Sequence, residues 1–253
     1  MSELRACGLW VQRGGRTVLG PLDLEARAGE VLAVLGPNGA GKSSLLGALA
    51  GALPCRGDIE LGGQAWAMLS PAHRARLVSF VPQRSDLDAA LRVAQVVAQG
   101  RYAHLGDLGR WRPEDHHAVA RALSGAHCTA LAQRNYLTLS VGEQRRVLIA
   151  RALATEAPVL LLDEPDAALD VLHALHLYRL LRELAQAGRA IVVALHDLDT
   201  ALTSADRVLL LHAGRMHALG APSAVLTPAH IAAVYGVQLA EARGLRFKLP
   251  DTD

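Results

Sequence analysis

One octapeptide constrains the fold of this chain more than any other feature of its sequence. Residues 36–43 read Gly-Pro-Asn-Gly-Ala-Gly-Lys-Ser, between the apolar run 31–35 and the helical pattern of residues 43–51. Glycines at this spacing before Lys-Ser, set between a strand and a helix, form the phosphate-loop pattern. Such a loop surrounds phosphate oxygens with backbone N–H groups, and the helix N-terminus favours the same anion. The pattern predicts a nucleotide-binding α/β sheet.

Each part of the loop has an expected role. Lys42 supplies positive charge to the β- and γ-phosphates, and the Ser43 hydroxyl ligates Mg²⁺. A Gly-rich stretch also occurs in ordinary turns, but the setting between strand and helix favours the nucleotide interpretation. The predicted nucleotide-binding residues of the loop and helix start are Gly36, Pro37, Asn38, Gly39, Ala40, Gly41, Lys42, Ser43 and Ser44.

A second motif, Val-Leu-Leu-Leu-Asp-Glu-Pro at residues 159–165, ends an apolar run with two carboxylates. The run predicts a buried strand, and ligands of open α/β sheets bind at the carboxyl ends of the strands. We expect Asp163 to hold Mg²⁺ and Glu164 to orient and deprotonate the attacking water. A strand that ends in an acidic turn is the structural alternative, which the phosphate loop disfavours.

Composition narrows the class of protein. Of the 253 residues 51% are hydrophobic and only 4% aromatic, which suits an α/β protein with helices over a parallel sheet. No apolar run approaches the roughly 18 residues that cross a bilayer, so a membrane role requires a separate membrane-spanning partner. Three widely spaced cysteines (Cys7, Cys55 and Cys128) indicate neither a disulfide framework nor a metal knuckle.

Charge argues against a nucleic-acid partner. The net charge is +2, from 26 basic and 24 acidic residues, without the concentrated positive face of a nucleic-acid binder. The pair Arg145 and Arg146 is expected on a solvated helix face.

Further motifs between and after these two carry a family resemblance. The segment Leu139-Ser140-Val141-Gly142-Glu143-Gln144 resembles the LSGGQ signature of ATP-binding cassette (ABC) ATPases. Gln83, the segment Ala168-Leu169-Asp170 and His196 match three further marks of that family, in the same order along the chain. The chain is therefore identified as resembling an ABC ATPase over essentially its whole length.

The resemblance names the fold that the periodicity outlines: an α/β, P-loop NTPase (RecA-like) core with an antiparallel β subdomain and an inserted α-helical subdomain. One nucleotide-binding domain is expected over residues 1–253. Its α/β core with the N-terminal β layer comprises residues 1–83 and 158–221, its helical subdomain residues 84–157, and its C-terminal extension residues 222–253.

The resemblance also implies a dimer that closes around ATP and Mg²⁺. Two copies pair head to tail, and each signature caps the ATP held by the other. Ser140 and Gly142 would donate hydrogen bonds to the partner's γ-phosphate, with Glu143 beside them in the nucleotide-binding set. Asp170 would help to align the two halves.

Two more residues complete the catalytic set that the resemblance implies. Gln83 would sense Mg²⁺ and the attacking water while linking the core to the helical subdomain. His196 would contact the γ-phosphate. Together with Glu164, Lys42 and Asp170 they form the predicted catalytic residues, and the predicted metal ligands are Ser43, Gln83 and Asp163.

The sequence departs from the family at two places. Val141 replaces the first glycine of the signature, which is tolerable if the residue needs no positive φ and its side chain points away from phosphate. The family usually places an aromatic residue near Arg13 to stack on adenine. Arg13 could stack through its guanidinium, whereas the alternative leaves it in solvent and gives the base contact to Val18 or Trp10.

Residues 100–104, Gly-Arg-Tyr-Ala-His, resemble a stretch of importer ATPases that serve iron-siderophore, haem and cobalamin uptake. This implies an integral membrane permease partner, indirectly a soluble substrate-binding protein, and a location at the cytoplasmic face of the inner membrane. The alternatives are the ATPase of an ABC exporter and a soluble, non-transport ABC ATPase. The sequence leaves the cargo open.

Overall fold

A computed structural model of the protein describes residues 2–84, 87, 90–105 and 109–237. Within them the strands are β1 (Ser2–Arg13), β2 (Arg16–Arg27), β3 (Val31–Leu35), β4 (Arg56–Leu61), β5 (Gln64–Ala65), β6 (Val78–Val81), β7 (Val159–Asp163), β8 (Ala190–Ala194), β9 (Arg207–His212) and β10 (Arg215–Gly220). The α-helices are α1 (Lys42–Leu49), α2 (Pro71–Leu77), α3 (Val93–Ala98), α4 (Pro113–Gly125), α5 (Val141–Ala154), α6 (Val171–Gln186), α7 (Leu198–Ser204), α8 (Pro222–Val225) and α9 (Pro228–Tyr235).

The strands form two sheets. Four of them make an antiparallel sheet in the order β2-β1-β4-β5. Six make the central sheet in the order β10-β9-β3-β8-β7-β6, in which the neighbours from β9 to β6 run parallel and β10 pairs antiparallel at one edge. The predicted α/β class with an antiparallel β layer is confirmed.

The central sheet separates two hydrophobic cores. Every residue of β3 and β7 is buried, because both faces of these strands are covered. Successive residues alternate between faces: Val31, Ala33 and Leu35 pack among the helices, whereas Leu32 and Val34 pack toward α1 and the antiparallel sheet. The continuous apolar runs of the sequence therefore mark the strands on which the site is built.

The carboxyl ends of four parallel strands meet at one edge. Strands β3, β8, β7 and β6 are adjacent in register, with Val34 opposite Ala194, Asp163 opposite Ala194, and Val81 opposite Leu162. The phosphate loop, His196, Glu164 and Gln83 follow these strands. The topology alone thus brings distant motifs together.

Some sequence expectations changed. The expected N-terminal β layer contains two strands of 12 residues each, and strand β10, at the edge of the central sheet, was not predicted. Residues after 237 of the proposed C-terminal extension lie outside the described residues, and the division of the chain into subdomains stays a prediction. Within the described ranges, none of the helices combines the length and apolar character needed to cross a bilayer.

Candidate active site

The phosphate loop leads from β3 into α1 and depends on glycine where it turns. Gly41 caps α1 with φ of 104°, and a Cβ on it would lie 2.9 Å from the Val18 carbonyl oxygen. A larger residue would meet both a steric clash and unfavourable backbone geometry. The start of α1 carries no side-chain cap and no acidic residue in its first turn, so its N–H groups and dipole are available to an anion.

Lys42 is held within this loop. It is 5% exposed, and its ammonium group donates to the carbonyl oxygens of Gly36 at 2.8 Å and Pro37 at 3.4 Å. Burial lowers the pKa of Lys42, although Glu164 and Asp163 pull in the opposite direction. Among the described residues its hydrogen bonds go to these backbone carbonyls and to no carboxylate, so the ammonium is positioned to interact with phosphate.

Asp163 and Ser43 offer a metal site of hard oxygen donors. Asp163 ends β7 at 2% exposure, and its Oδ1 has no hydrogen-bond partner among the described residues. Burial raises the pKa of Asp163 despite the opposing effects of the Ser43 hydroxyl and of the nearby Arg145 and Lys42 charges. A buried, unpartnered carboxylate oxygen beside a hydroxyl fits Mg²⁺, which prefers oxygen ligands.

Glu164 follows Asp163 in a strained backbone conformation. Its φ is 48°, and its N–H donates to the Ala194 carbonyl at 3.1 Å. The left-handed region costs a non-glycine residue about 1–2 kcal/mol. Glu164 is 7% exposed as a residue, and its carboxylate accepts from Gln83 Nε2 at 2.5 Å through Oε2 and lies 2.5 Å from His196 Nε2 through Oε1.

Lys42, Ser43, Gln83, Glu164 and His196 line one open cleft of about 920 Å³, whereas Asp163 is not among the described residues that line it. It brings together most of the predicted nucleotide-binding and catalytic residues: Arg13, Val18, Asn38, Gly39, Ala40, Gly41, Lys42, Ser43, Ser44, Gln83, Glu164 and His196. Trp10, the third candidate for adenine, instead bonds Thr17 through its indole N–H, and Arg56 lies over its ring at 5.3 Å. The contact between Arg13 and adenine stays a prediction.

The signature forms the start of α5, away from this cleft. Ser140 is the N-cap: its hydroxyl accepts from the Glu143 N–H at 3.3 Å, and the Glu143 carboxylate accepts from the Ser140 N–H at 2.9 Å. The first N–H bonded along the helix is that of Gln144, to the Ser140 carbonyl, so the amides of Val141 and Gly142 point out of the helix end. Among the described residues that line the cleft, none belongs to the signature.

Val141 can replace the first glycine of the signature because its position does not need a positive φ. It is 69% exposed and is not among the positive-φ residues of the described chain. The next residue must be glycine for another reason: a Cβ on Gly142 would lie 2.8 Å from the Ala168 carbonyl oxygen. The signature helix therefore approaches the segment 168–170 closely. Asp170 caps α6, accepting from the His173 N–H at 2.8 Å, and does not line the cleft.

The expectation that Arg145 lies on a solvated face is wrong. Arg145 is 5% exposed on α5 and donates to five backbone carbonyls, those of Pro82, Gln83, Asp163, Glu164 and Pro165. The helical period gave a signal for this burial. Positions 148, 149 and 152 are i+3, i+4 and i+7 from Arg145 and are apolar, which places Arg145 on the buried face. Arg146, by contrast, is half-buried and donates to the His127 carbonyl.

The far end of α5 contacts the segment 100–104. Arg101, 6% exposed, pairs with Asp115 at 2.9 Å and Glu156 at 3.0 Å and donates to the Ala154 carbonyl at 2.8 Å. His104 Nε2 lies 2.8 Å from the Thr155 carbonyl oxygen. Beside them runs an open surface groove lined by residues from 75–80, 99–103 and 151–155. Helix α5 thus runs from the signature at one end to this groove at the other.

Comparison with known proteins agrees with this geometry. The ABC transporter family model matches residues 19–167. The hemin import ATP-binding protein HmuV of Pseudomonas fluorescens strain Pf-5 is 48% identical, over 93% of this chain and 93% of that protein. A metal-chelate type ABC transporter in an inward-facing conformation superposes with a TM-score of 0.80 at 29% identity, covering 94% of this chain and 90% of that chain.

A dimeric ATP-binding cassette in a post-hydrolysis state bound to ADP and phosphate superposes with a TM-score of 0.77 at 25% identity, covering 87% of this chain and 98% of that chain. The fold neighbours confirm the predicted P-loop NTPase fold. With its phosphate loop, acidic strand end and signature helix in one α/β scaffold, the chain belongs to the ABC transporter family and is one of its ATP-hydrolysing subunits.

Proposed function

We propose that this chain is the ATP-hydrolysing subunit of a separate-subunit importer that takes up hemin through a membrane permease. Hemin is proposed as the cargo because this chain is 48% identical, over nearly the whole of both chains, to a hemin import ATP-binding protein. The likeness to a metal-chelate type transporter supports the same class of substrate. The subunit then works at the cytoplasmic face of the inner membrane, peripheral through the permease.

In the proposed reaction, the chain positions ATP and stabilises charge that develops in the transition state. The N–H groups at the start of α1 and the Lys42 ammonium bind the phosphates, and Arg13 or Val18, which line the same cleft, would contact the base. Asp163 and Ser43 would hold Mg²⁺, which when bound neutralises charge on the β- and γ-phosphate oxygens.

Glu164 acts as the general base that takes a proton from the attacking water. Gln83 and His196, at its two carboxylate oxygens, keep that carboxylate oriented toward the cleft. His196 is half-exposed at the cleft, so its ring is also accessible to the γ-phosphate.

The proposed active unit is a head-to-tail dimer. Support comes from the placement of Ser140 and Gly142, whose helix start is exposed and does not line the cleft of its own chain. A helix N-terminus with free amides favours an anion, and the γ-phosphate of the partner's ATP is such an anion. The similar cassette bound to ADP and phosphate is dimeric.

The permease would bind the groove lined by residues from 75–80, 99–103 and 151–155. Tyr102 is 62% exposed there, and an exposed aromatic residue is typical of protein interfaces. Because the groove lies at the end of α5 opposite the signature, docking at the groove and nucleotide binding at the signature act on one helix.

The test is uptake by the complex of this chain, its permease and the soluble binding protein in liposomes. We expect ATP-dependent accumulation of hemin, lost in Glu164→Gln. Ferric siderophore and cobalamin, supplied in the same way, are the comparison substrates. Uptake of either of them instead of hemin would refute hemin as the cargo. ATP-driven movement in the outward direction would refute the assignment as an importer.

A further inference from the structure

Arg145 uses its whole guanidinium group inside the protein. Nε donates to the Pro165 carbonyl at 3.2 Å, Nη1 to the carbonyls of Pro82 at 2.5 Å and Gln83 at 3.3 Å, and Nη2 to the carbonyls of Asp163 at 2.5 Å and Glu164 at 2.8 Å. An arginine has five N–H donors, so these five bonds account for its full capacity.

The five acceptors belong to two separate segments. One is the end of β6, with Pro82 and Gln83, and the other is the end of β7, from Asp163 to Pro165. The donor itself sits one turn into α5, the helix that begins with the signature. One side chain therefore joins the signature helix to the two segments that carry Gln83 and Glu164.

The bond to the Glu164 carbonyl falls at a strained position. Glu164 is held at φ of 48°, a conformation that persists only where surrounding contacts fix it. Its carbonyl also accepts from the Ala167 N–H at 3.2 Å. Without Arg145, the Glu164 carbonyl would lose a charged hydrogen-bond donor. The loss would fall in a buried site, since Glu164 is 7% exposed.

We propose that Arg145 is a positioning residue for ATP hydrolysis: it fixes the backbone of Glu164 and Gln83 relative to the signature helix, so that the Glu164 carboxylate faces the attacking water. This inference rests on the proposed function. The side chain does not touch nucleotide; it acts through the two residues whose carbonyls it binds. A shift of about 1 Å in a reacting group costs on the order of a hundredfold in rate.

The chemistry of the site selects arginine. The carbonyls lie around a planar fork, which a lysine ammonium or a glutamine amide cannot match with as many donors. Arg145→Gln is therefore expected to lower kcat about ten- to a hundredfold while the dissociation constant for ADP with Mg²⁺, measured by calorimetry, changes less than about threefold. Arg145→Lys, with three donors and the charge retained, should recover part of kcat.

A double-mutant cycle separates positioning from stability. If Arg145 acts through Glu164, then Arg145→Gln should change the residual turnover of Glu164→Gln less than about twofold, because the group being positioned is already gone. If Arg145→Gln lowered turnover by the same factor in the wild type and in Glu164→Gln, the proposal would be overturned. So would a kcat of Arg145→Gln within twofold of the wild type.

Arg182→Gln is the matched control. Arg182 is a partly buried arginine that pairs with Asp206 at 2.7 Å, and Asp206 also accepts from the N–H of Val31, at the opposite end of β3 from the phosphate loop. Arg182→Gln should lower thermal stability but leave kcat unchanged. If Arg145→Gln fails to fold, the same cycle is run with Arg145→Lys. Absence of ATP hydrolysis by the wild-type complex would refute the proposed function. If the wild type is active and Arg145→Gln has the same kcat, only this inference is refuted.

Discussion

His196 Nε2 lies 2.5 Å from Glu164 Oε1, although the two residues follow different strands and are 32 positions apart in the chain. Strands β7 and β8 are neighbours, and their carboxyl ends meet with Asp163 opposite Ala194. Gln83, after β6, holds the other carboxylate oxygen. Glu164 is therefore fixed from both sides at the floor of the cleft.

Replacing this carboxylate should separate binding from catalysis. Glu164→Gln is expected to leave ATP binding intact and to lower turnover by about 10²–10⁴, because the amide cannot accept the proton of the attacking water. ATP affinity and steady-state hydrolysis of the purified variant measure the two effects. Glu183→Gln, an exposed carboxylate on α6, is the control and should hydrolyse ATP normally. Wild-type hydrolysis by Glu164→Gln would refute the assignment of the base.

Arg13 offers a test of the adenine side of the cleft. Arg13→Ala should weaken ATP binding several-fold while slowing saturated turnover less, because stacking on the base contributes equally before and during reaction. Arg16→Ala removes an exposed arginine from the same hairpin and should change neither quantity. The comparison is made by titration with ATP and by initial rates; unchanged affinity in Arg13→Ala would leave Arg13 without a role in binding the base.

Two adjacent substitutions test the signature helix. Gly142→Ala would place a Cβ 2.8 Å from the Ala168 carbonyl, so one of the two segments must move. We expect at least a tenfold loss of ATP turnover, because a displacement of about 1 Å in a site of this kind lowers the rate by that order. Val141→Gly, at the exposed neighbouring position, should stay within about twofold of the wild type. Equal turnover in the two variants would contradict the proposed close contact.

The Arg101–Asp115 pair should make stability depend on pH. Burial alone would raise the pKa of Asp115, but hydrogen bonds from the Arg112 N–H and the Arg101 side chain outweigh it and hold the pKa below its usual range. The pair therefore stabilises the fold above the unfolded-state value of about 3.9 and loses that contribution as pH falls through the lower folded-state value.

Urea unfolding of wild type and Asp115→Asn at several pH values checks this dependence. The difference in unfolding free energy should be largest near neutral pH and shrink as pH falls below about 4. Glu114→Gln, an exposed neighbour in the first turn of α4, is the control and should show a smaller difference. A constant difference across the range would contradict the pH dependence.

The sequence predicted the central sheet well where its strands are buried on both faces. Residues 31–35, 159–162 and 190–194 are continuous apolar runs because each packs against a core on either side. Strand β10 carried no such signal: Arg215 and His217 alternate with half-buried residues at the edge of the sheet, which reads as a loop. Edge strands have only one neighbour, so their composition is weakly constrained.

The site was predictable as a set of motifs but not as a set of contacts. The order of the strands, which no single motif encodes, brings Gln83 and His196 onto one carboxylate. Arg145 was missed because a charged pair next to the signature suggested solvent, although its helical spacing to Leu148, Ile149 and Ala152 indicated burial. A buried charge with backbone acceptors becomes visible only when the segments around it are placed.

The head-to-tail dimer is tested most directly by a disulfide between the two segments that would meet across it. Asn38, in the phosphate loop, and Val141, in the signature, are both exposed, and each would be replaced by cysteine in the Glu164→Gln variant assembled with its permease. The single-cysteine variants control for Cys7, Cys55 and Cys128. We predict a cross-linked dimer with ATP and Mg²⁺ only in the double-cysteine variant. Failure to cross-link with ATP and Mg²⁺ would contradict the dimer that closes around ATP.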